Sequence, residues 1–285
     1  MIKRIFTIST VLVVCVAITL FYGFFVSDKL LLYISQWQDL RPGAIHLLRL
    51  KRRIYWLNGL KFPNTANFGA SDRHLIANEF TLGSPVFIRI FKLEFELEFW
   101  IKRNGRFHLF AIYPICNWSG RLGPKLVIGD RQSPEGFYTV SSKAMHATSR
   151  WHKSFNLGFP NAYDRMHGRT GDYLMVHGGC SSIGCYAITD NLIDEVWRFI
   201  VAAHKSGQKR FHIHIYPFRM TTKNLNAYTS TGWKEFWDNL KVGYDTFEKT
   251  WFPPKVFVCN GNYAFLAVND VSSDGAHRIR SYCPQ

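Results

Sequence analysis

Acidic side chains are scarce in this chain of 285 residues: 20 Asp and Glu stand against 35 Lys and Arg, a formal net charge of +15. Such an excess suits work beside a polyanion, either an anionic polymer or a membrane surface. It does not point to nucleic acid, because the basic residues are scattered and only Lys51-Arg52-Arg53 forms a tight cluster. Cysteine is also sparse. Six cysteines are too few for a disulfide scaffold, and a chain of this length buries a core without such staples. No internal repeat or low-complexity tract is present, which excludes a repeat architecture.

Charge is missing altogether from Ile5 to Val26, a run preceded by Lys3 and Arg4. As a helix it would span roughly 33 Å, enough to cross a bilayer. It is long for a signal-peptide core, and no small-residue cleavage site follows at Tyr22–Ser27. We therefore expect a retained transmembrane anchor over 1–28, with cleavage and secretion as the alternative. The cationic amino end would stay inside and the body would be exported, as a single-pass membrane protein. Of the cysteines beyond the run, Cys116, Cys180, Cys259 and Cys283 are free to form one or two bridges in an oxidising compartment.

The most informative segment is Val176-His177-Gly178-Gly179-Cys180-Ser181-Ser182-Ile183-Gly184-Cys185. A thiol attacks carbonyls as thiolate, so a catalytic cysteine needs a base, and His177 is the candidate for Cys185. The glycines leave little bulk around the thiol and allow turns that expose backbone N–H donors to an oxyanion. Two alternatives compete. Cys180, Cys185 and His177, with His212 or His214, are a possible zinc set. A Cys180–Cys185 disulfide would silence the nucleophile. No acidic residue lies within the segment, so a third catalytic group has to come from the backbone or from elsewhere.

His-Gly, a short glycine-bearing loop and then Ser-x-Gly-Cys resembles the signature of the L,D-transpeptidases, the peptidoglycan enzymes of YkuD fold. Further pieces fall in family order. They are Leu122-Gly123-Pro124-Lys125 with Gly129 to Tyr138, His167-Gly168-Arg169-Thr170-Gly171, His214 to Met220, Pro253-Pro254-Lys255-Val256 and Asn260-Gly261-Asn262-Tyr263. The later ones are similar to the YafK-like murein branch, and the resemblance covers about residues 85 to 268. Ala187 stands where many members carry an arginine. The resemblance implies Cys185 as nucleophile, His177 as base, and the Gly178 carbonyl as the group orienting the imidazole. Ser182 and Gly184 would shape the loop, with the N–H groups of Gly184 and Cys185 as oxyanion donors. It also implies a thioester formed on the meso-diaminopimelate of a tetrapeptide stem, with neither metal nor organic cofactor. An acceptor amine would complete transpeptidation. Water would instead make a hydrolase, cleaving diaminopimelate–lysine links to an anchored lipoprotein. A non-catalytic wall-binding protein is the third reading.

The expected fold is α+β, mainly β with flanking helices, as a mixed β-sandwich of L,D-transpeptidase type behind the amino-terminal helix. Residues 29–84 read as a membrane-proximal stalk, 85–220 as the catalytic domain and 221–285 as an extension packed on it. Phe91 to Phe99 alternate with Lys92, Glu94, Glu96 and Glu98, the period of a strand with one buried face. Asn104-Gly105 predicts a type I′ turn into a strand over 107–115. Short strands are expected at 125–128, 137–140 and 173–176, the last delivering His177. A helix capped by Asp190 and ended by Gly207 follows the nucleophile, and a strand over 211–216 follows the helix. Aromatics are mostly core by spacing. Trp118, Trp151, Tyr163 and Tyr186 flank the motifs and, with His167, are the candidates for substrate contact.

Overall fold

Helix and strand formation follow the apolar pattern through a computed structural model that describes residues 27–37, 41–62, 71–228, 231–268 and 276–284. Three helices come first, α1 (Asp28–Ile34), α2 (Arg41–Leu57) and α3 (Ser71–Ala77). Strands β1 (Val86–Phe91), β2 (Glu96–Arg103), β3 (Arg106–Pro114), β4 (Asn117–Trp118), β5 (Gly136–Ser141), β6 (Met145–Ser149) and β7 (His152–Asn156) follow. After helix α4 (Ala162–Met166) come β8 (Met175–His177), β9 (Tyr186–Ala187), helix α5 (Asp190–Lys205) and β10 (Arg210–Tyr216). Helices α6 (Thr222–Ala227) and α7 (Lys234–Thr250) then lead to the β11 (Lys255–Cys259) and β12 (Asn262–Leu266) hairpin. Among these residues no helix is long and apolar enough to cross a membrane. The uncharged run, and with it the expected anchor up to residue 26, lies outside the described residues.

The chain is α+β. One five-stranded sheet has the order β3-β2-β1-β10-β5 and the second the order β4-β9-β8-β7-β6. Their inner faces share one apolar core, in which Phe95 meets Trp118 and Phe155 meets Phe211. The Asn-Gly turn forms as its chemistry demands. Asn104 and Gly105 both have positive φ, and Arg103 pairs with Arg106 across them. Helix α5 buries Leu192, Val196, Phe199, Ile200 and Ala203 on one face, and Phe199 packs on Phe99 and Phe110.

Three expectations need correction. The alternating run 91–99 is not one strand: β1 ends at Phe91 and β2 starts at Glu96, with Phe95 at φ 56 in the intervening turn. Nor is the charged side an exposed face: Lys92 and Glu98 are buried in ion pairs, Lys92 with Glu135 and Glu98 with Arg89. Residues 125–128 form no strand. The Asp130 carboxylate accepts hydrogen bonds from the N–H groups of Leu126, Val127 and Gln132, and so captures donors that a ladder would need. Residues 29–84 are not a separate stalk either. Leu31, Ile45, Leu48, Leu75 and Phe80 are buried in the main core, and the Arg52 guanidinium donates to the Ile115 carbonyl.

The carboxy-terminal part is tied in the same way. Trp237 of α7 is buried, and its indole N–H donates to Glu135. A Cys259–Cys283 disulfide closes the chain end onto β11.

His214 sits fully buried on β10 between the rings of Phe87 and Phe137, each 4.7 Å away. Burial drives its pKa well below the ordinary 6.5, and the charges of His212 and Arg89 add to the effect. The unfolded chain therefore takes up a proton below about pH 6.5 that the folded protein refuses, so stability present above that pH is lost as pH falls. We expect His214→Phe to flatten this slope by up to about 1.4 kcal/mol per pH unit, measured by urea unfolding between pH 7.5 and 5.

Candidate active site

His177 is the last residue of β8, and Cys185 stands just ahead of the neighbouring strand β9. β8 and β9 pair in parallel, with Val176 opposite Tyr186 and His177 opposite Ala187. Side chains alternate along a strand, so Met175 and His177 share a face with Cys185 and Ala187, while Val176 and Tyr186 face the other way. Cys185 immediately precedes β9, and its Sγ accepts a hydrogen bond from the Met175 N–H at 3.4 Å. The thiol in turn lies 3.7 Å from the Tyr173 carbonyl.

His177 is buried, and its Nδ1 lies 2.6 Å from the Gly178 carbonyl oxygen. A carbonyl only accepts, so Nδ1 carries the proton and Nε2 keeps its lone pair. The Trp151 ring stacks on the imidazole at 5.7 Å and 23° while remaining 41% exposed. Burial pulls the His177 pKa below 6.5, partly offset by the Gly178 bond and by Asp190. Burial likewise pushes the Cys185 thiol above its ordinary 9.0, partly offset by the Met175 N–H. Both shifts favour a resting pair of neutral thiol and neutral imidazole.

Two glycines are required by space. A Cβ on Gly178 would lie 2.3 Å from the Asp190 carboxylate and 2.8 Å from the Trp151 carbonyl oxygen. Gly184, at φ +139, has backbone that L side chains rarely adopt, and a Cβ there would lie 2.9 Å from Leu174. Non-glycine residues also take positive φ around the site: His152, Tyr173 and the β-branched Thr189. Thr189, not Asp190, is the cap residue of α5, because the Asp190 carboxylate accepts instead from the Gly179 N–H at 2.8 Å.

The loop is held from below by hydroxyls. Ser182 Oγ donates to the Cys185 carbonyl at 2.7 Å and lies 3.0 Å from Ser119 Oγ. Ser133 Oγ donates to the same carbonyl at 3.0 Å. The Gly184 N–H is turned to Ser182 Oγ at 3.3 Å. Ser119, Ser133 and Asp190 were invisible as site residues in the sequence, since they arrive from segments with no motif spacing to the cysteine. Cys180 is bonded to Cys116, which removes the thiolate that the zinc set needed and leaves Cys185 as a free thiol.

The aromatic candidates divide. Trp118 and Tyr186 are fully buried and Tyr163 is 4% exposed, so none of the three presents a face to a ligand. Trp118 lies beneath Arg49, the Tyr186 hydroxyl donates to the Pro134 carbonyl, and Tyr163 stacks on Tyr263. His167 is exposed, but its Nε2 bonds the Gly261 carbonyl and so ties α4 to the β11–β12 turn. Trp151 remains at the surface beside His177.

No family profile matches the chain. Two curated relatives, each named "Putative L,D-transpeptidase YafK" and from Escherichia coli strains K12 and O157:H7, are 50% identical over 182 residues, 64% of this chain and 74% of theirs. The chain belongs to the L,D-transpeptidase family. It is thus an enzyme of transpeptidase kind. Two solved structures are more distant. The helical cell shape determining protein Pgp2 of Campylobacter jejuni is 19% identical with a TM-score of 0.38, over 65% of this chain and 69% of that one. An L,D-transpeptidase of Xylanimonas cellulosilytica is 15% identical with a TM-score of 0.28, over 58% and 80%. The arginine of many family members is Ala187 here, fully buried opposite His177.

Two measurements follow. Gly178→Ala should destabilise the fold by about 1–3 kcal/mol through overpacking against Asp190 and the Trp151 carbonyl, read by thermal unfolding. Alkylation by iodoacetamide, taken as the difference from Cys185→Ala, should be slower at pH 7.5 than for an unhindered thiol and rise only above pH 9. A rate that levels off near pH 6 would show a resting thiolate instead.

Proposed function

We propose that the protein is a cysteine-dependent peptidoglycan L,D-transpeptidase, working through a thioester on the meso-diaminopimelate of tetrapeptide stems. The observation that carries this reading is the pair of His177 and Cys185 on one face of adjacent parallel strands, with Nδ1 committed to the Gly178 carbonyl. His177 Nε2 takes the thiol proton as Sγ attacks the diaminopimelate carbonyl. The oxyanion of the tetrahedral intermediate is met by the Cys185 N–H, for which no intramolecular acceptor is present among the described residues. His177 returns the proton to the departing amine of the terminal D-amino acid, leaving the thioester. An acceptor amine then gives its proton to His177 and attacks, which restores the thiol. No cofactor enters these steps.

Hydrolysis uses the same dyad with water in place of the amine, releasing protein attached through lysine. It is favoured by the exposed side chains of Tyr173 and Ile183 beside the nucleophile, 66% and 80% accessible, which offer contact to a chain longer than a stem peptide. A periplasmic body anchored by the uncharged run supplies the setting. The two disulfides, Cys116–Cys180 and Cys259–Cys283, suit that oxidising compartment.

The test is mass spectrometry of muropeptides, tetrapeptide and lysine-linked, incubated with the detergent-solubilised chain. New diaminopimelate–diaminopimelate dimers are expected from the wild type and none from Cys185→Ala. Loss of the lysine-linked species without dimers would make the protein a hydrolase. Absence of any Cys185-dependent product would remove both readings. His177→Gln should slow thioester formation by about 10²–10⁴-fold. Because the His177 pKa is depressed, acylation should hold down to a pH below 6.5 and then fall as the imidazole protonates.

A further inference from the structure

Away from Cys185, the start of α2, the loop after β4 and the residues before α7 enclose a cavity of about 400 Å³. Arg41, His46, Arg49 and Arg121 line it, with Leu122 and Trp233 among the apolar walls, and among the described residues no lining residue is Asp or Glu. Within the described lining the positive charge has no carboxylate partner.

Two of the cations are held rigidly. The Arg41 guanidinium donates to the Ser35 and Ala227 carbonyls and lies 4.0 Å over the Tyr228 ring. Arg49 donates to the Gly120 carbonyl at 2.8 Å and lies 4.2 Å over the Trp118 ring. Its Nε is buried without an acceptor among the described residues. Burial lowers the Arg49 pKa to about 10, and no carboxylate raises it. At the rim, the Arg121 and His46 side chains are exposed and form no bond among the described residues.

Across the Ser119–Gly120 segment the cavity backs onto the loop that carries Cys185. Gly120 accepts from Arg49, while its neighbour Ser119 meets Ser182 Oγ and, through its N–H, Ser133 Oγ. Those two hydroxyls hold the Cys185 carbonyl.

We propose that this cavity is a subsite for a carboxylate-bearing segment of the substrate peptide, beyond the residue that is acylated. This rests on the peptidoglycan reading above, since a stem containing diaminopimelate carries carboxylates by its chemistry. Arginine forks match carboxylates in two-point contact, and Trp233 with Leu122 would cover the aliphatic part of the chain.

The experiment compares tetrapeptide muropeptides with free and with amidated carboxyl groups, using the wild type and an Arg121→Gln/His46→Gln double variant of the full chain. In the wild type, amidation should raise KM about tenfold. In the double variant, KM for the free acid should rise to the amidated value, while kcat and iodoacetamide alkylation of Cys185 stay within about twofold. Wild-type turnover with no change in KM, either on amidation or in the variant, would overturn the subsite and leave the proposed reaction standing. Competition by millimolar inorganic phosphate without any effect of amidation would make it a phosphate site and overturn the assignment equally. If no Cys185-dependent turnover occurs on either peptide, the proposed reaction fails first, and with it the basis of the subsite.

Discussion

A lysine ammonium with no water around it organises this protein. Lys92 is fully buried, and its Nζ lies 2.8–3.0 Å from the carbonyl oxygens of Arg121, Gly123 and Ser133 and from the Glu135 carboxylate. Glu135 also accepts from the Gly123 N–H and from the Trp237 indole, so the first sheet, the loop over 119–135 and α7 converge on one charge pair. Burial lowers the Lys92 pKa, and the Glu135 carboxylate opposes that shift. Removing one partner of such a pair costs about 3–5 kcal/mol, because the other is left charged and dry. Here the geometry reaches further than stability. Ser133, whose carbonyl the ammonium holds, presents its hydroxyl to the Cys185 carbonyl.

The dyad is governed by the same desolvation acting on uncharged groups. Burial raises the thiol pKa and lowers that of the imidazole, which favours the uncharged form of each at rest. A neutral base with its lone pair free is what proton abstraction during attack requires. The imidazole is held by backbone rather than by a carboxylate, through the Gly178 carbonyl at Nδ1. That economy has a steric condition. Gly178 is wedged against Asp190 and the Trp151 carbonyl, and its N–H reaches the carbonyls of Trp151 and Lys153. No larger residue fits there without moving β7 or α5.

Positive charge is distributed with function in mind as well as solubility. Arg89 is paired with Glu98 and Glu248, and Arg219 with Glu96 and Glu98, so these guanidiniums are spent on the first sheet. Among the described residues, the cations around the cavity beside α2 have no carboxylate of this kind. A chain with a net charge of +15 can leave such a cluster unneutralised, because its preferred neighbours are anionic.

Local chemistry was readable without coordinates. The His-Gly-Gly-Cys to Gly-Cys spacing singled out Cys185 and His177 as candidates, Asn104-Gly105 marked a hairpin, and the apolar period of 192–203 marked α5. Each depends on neighbours a few residues apart. The break between β1 and β2 was hidden because Lys92 and Glu98 mimic an exposed face while being buried in ion pairs contributed by distant residues. Pairing of Cys116 with Cys180 was equally closed to inspection, since their separation of 64 residues has no periodic consequence. Trp118, Tyr163 and Tyr186 look like binding aromatics beside a motif, and only the packing of the second sheet against the core turned them inward. Sequence by itself determined which atoms are available for chemistry, because side-chain identity sets nucleophilicity and basicity. Tertiary structure alone decided which of those atoms meet and in what charge state, because both follow from burial and from partners that the chain brings from far away.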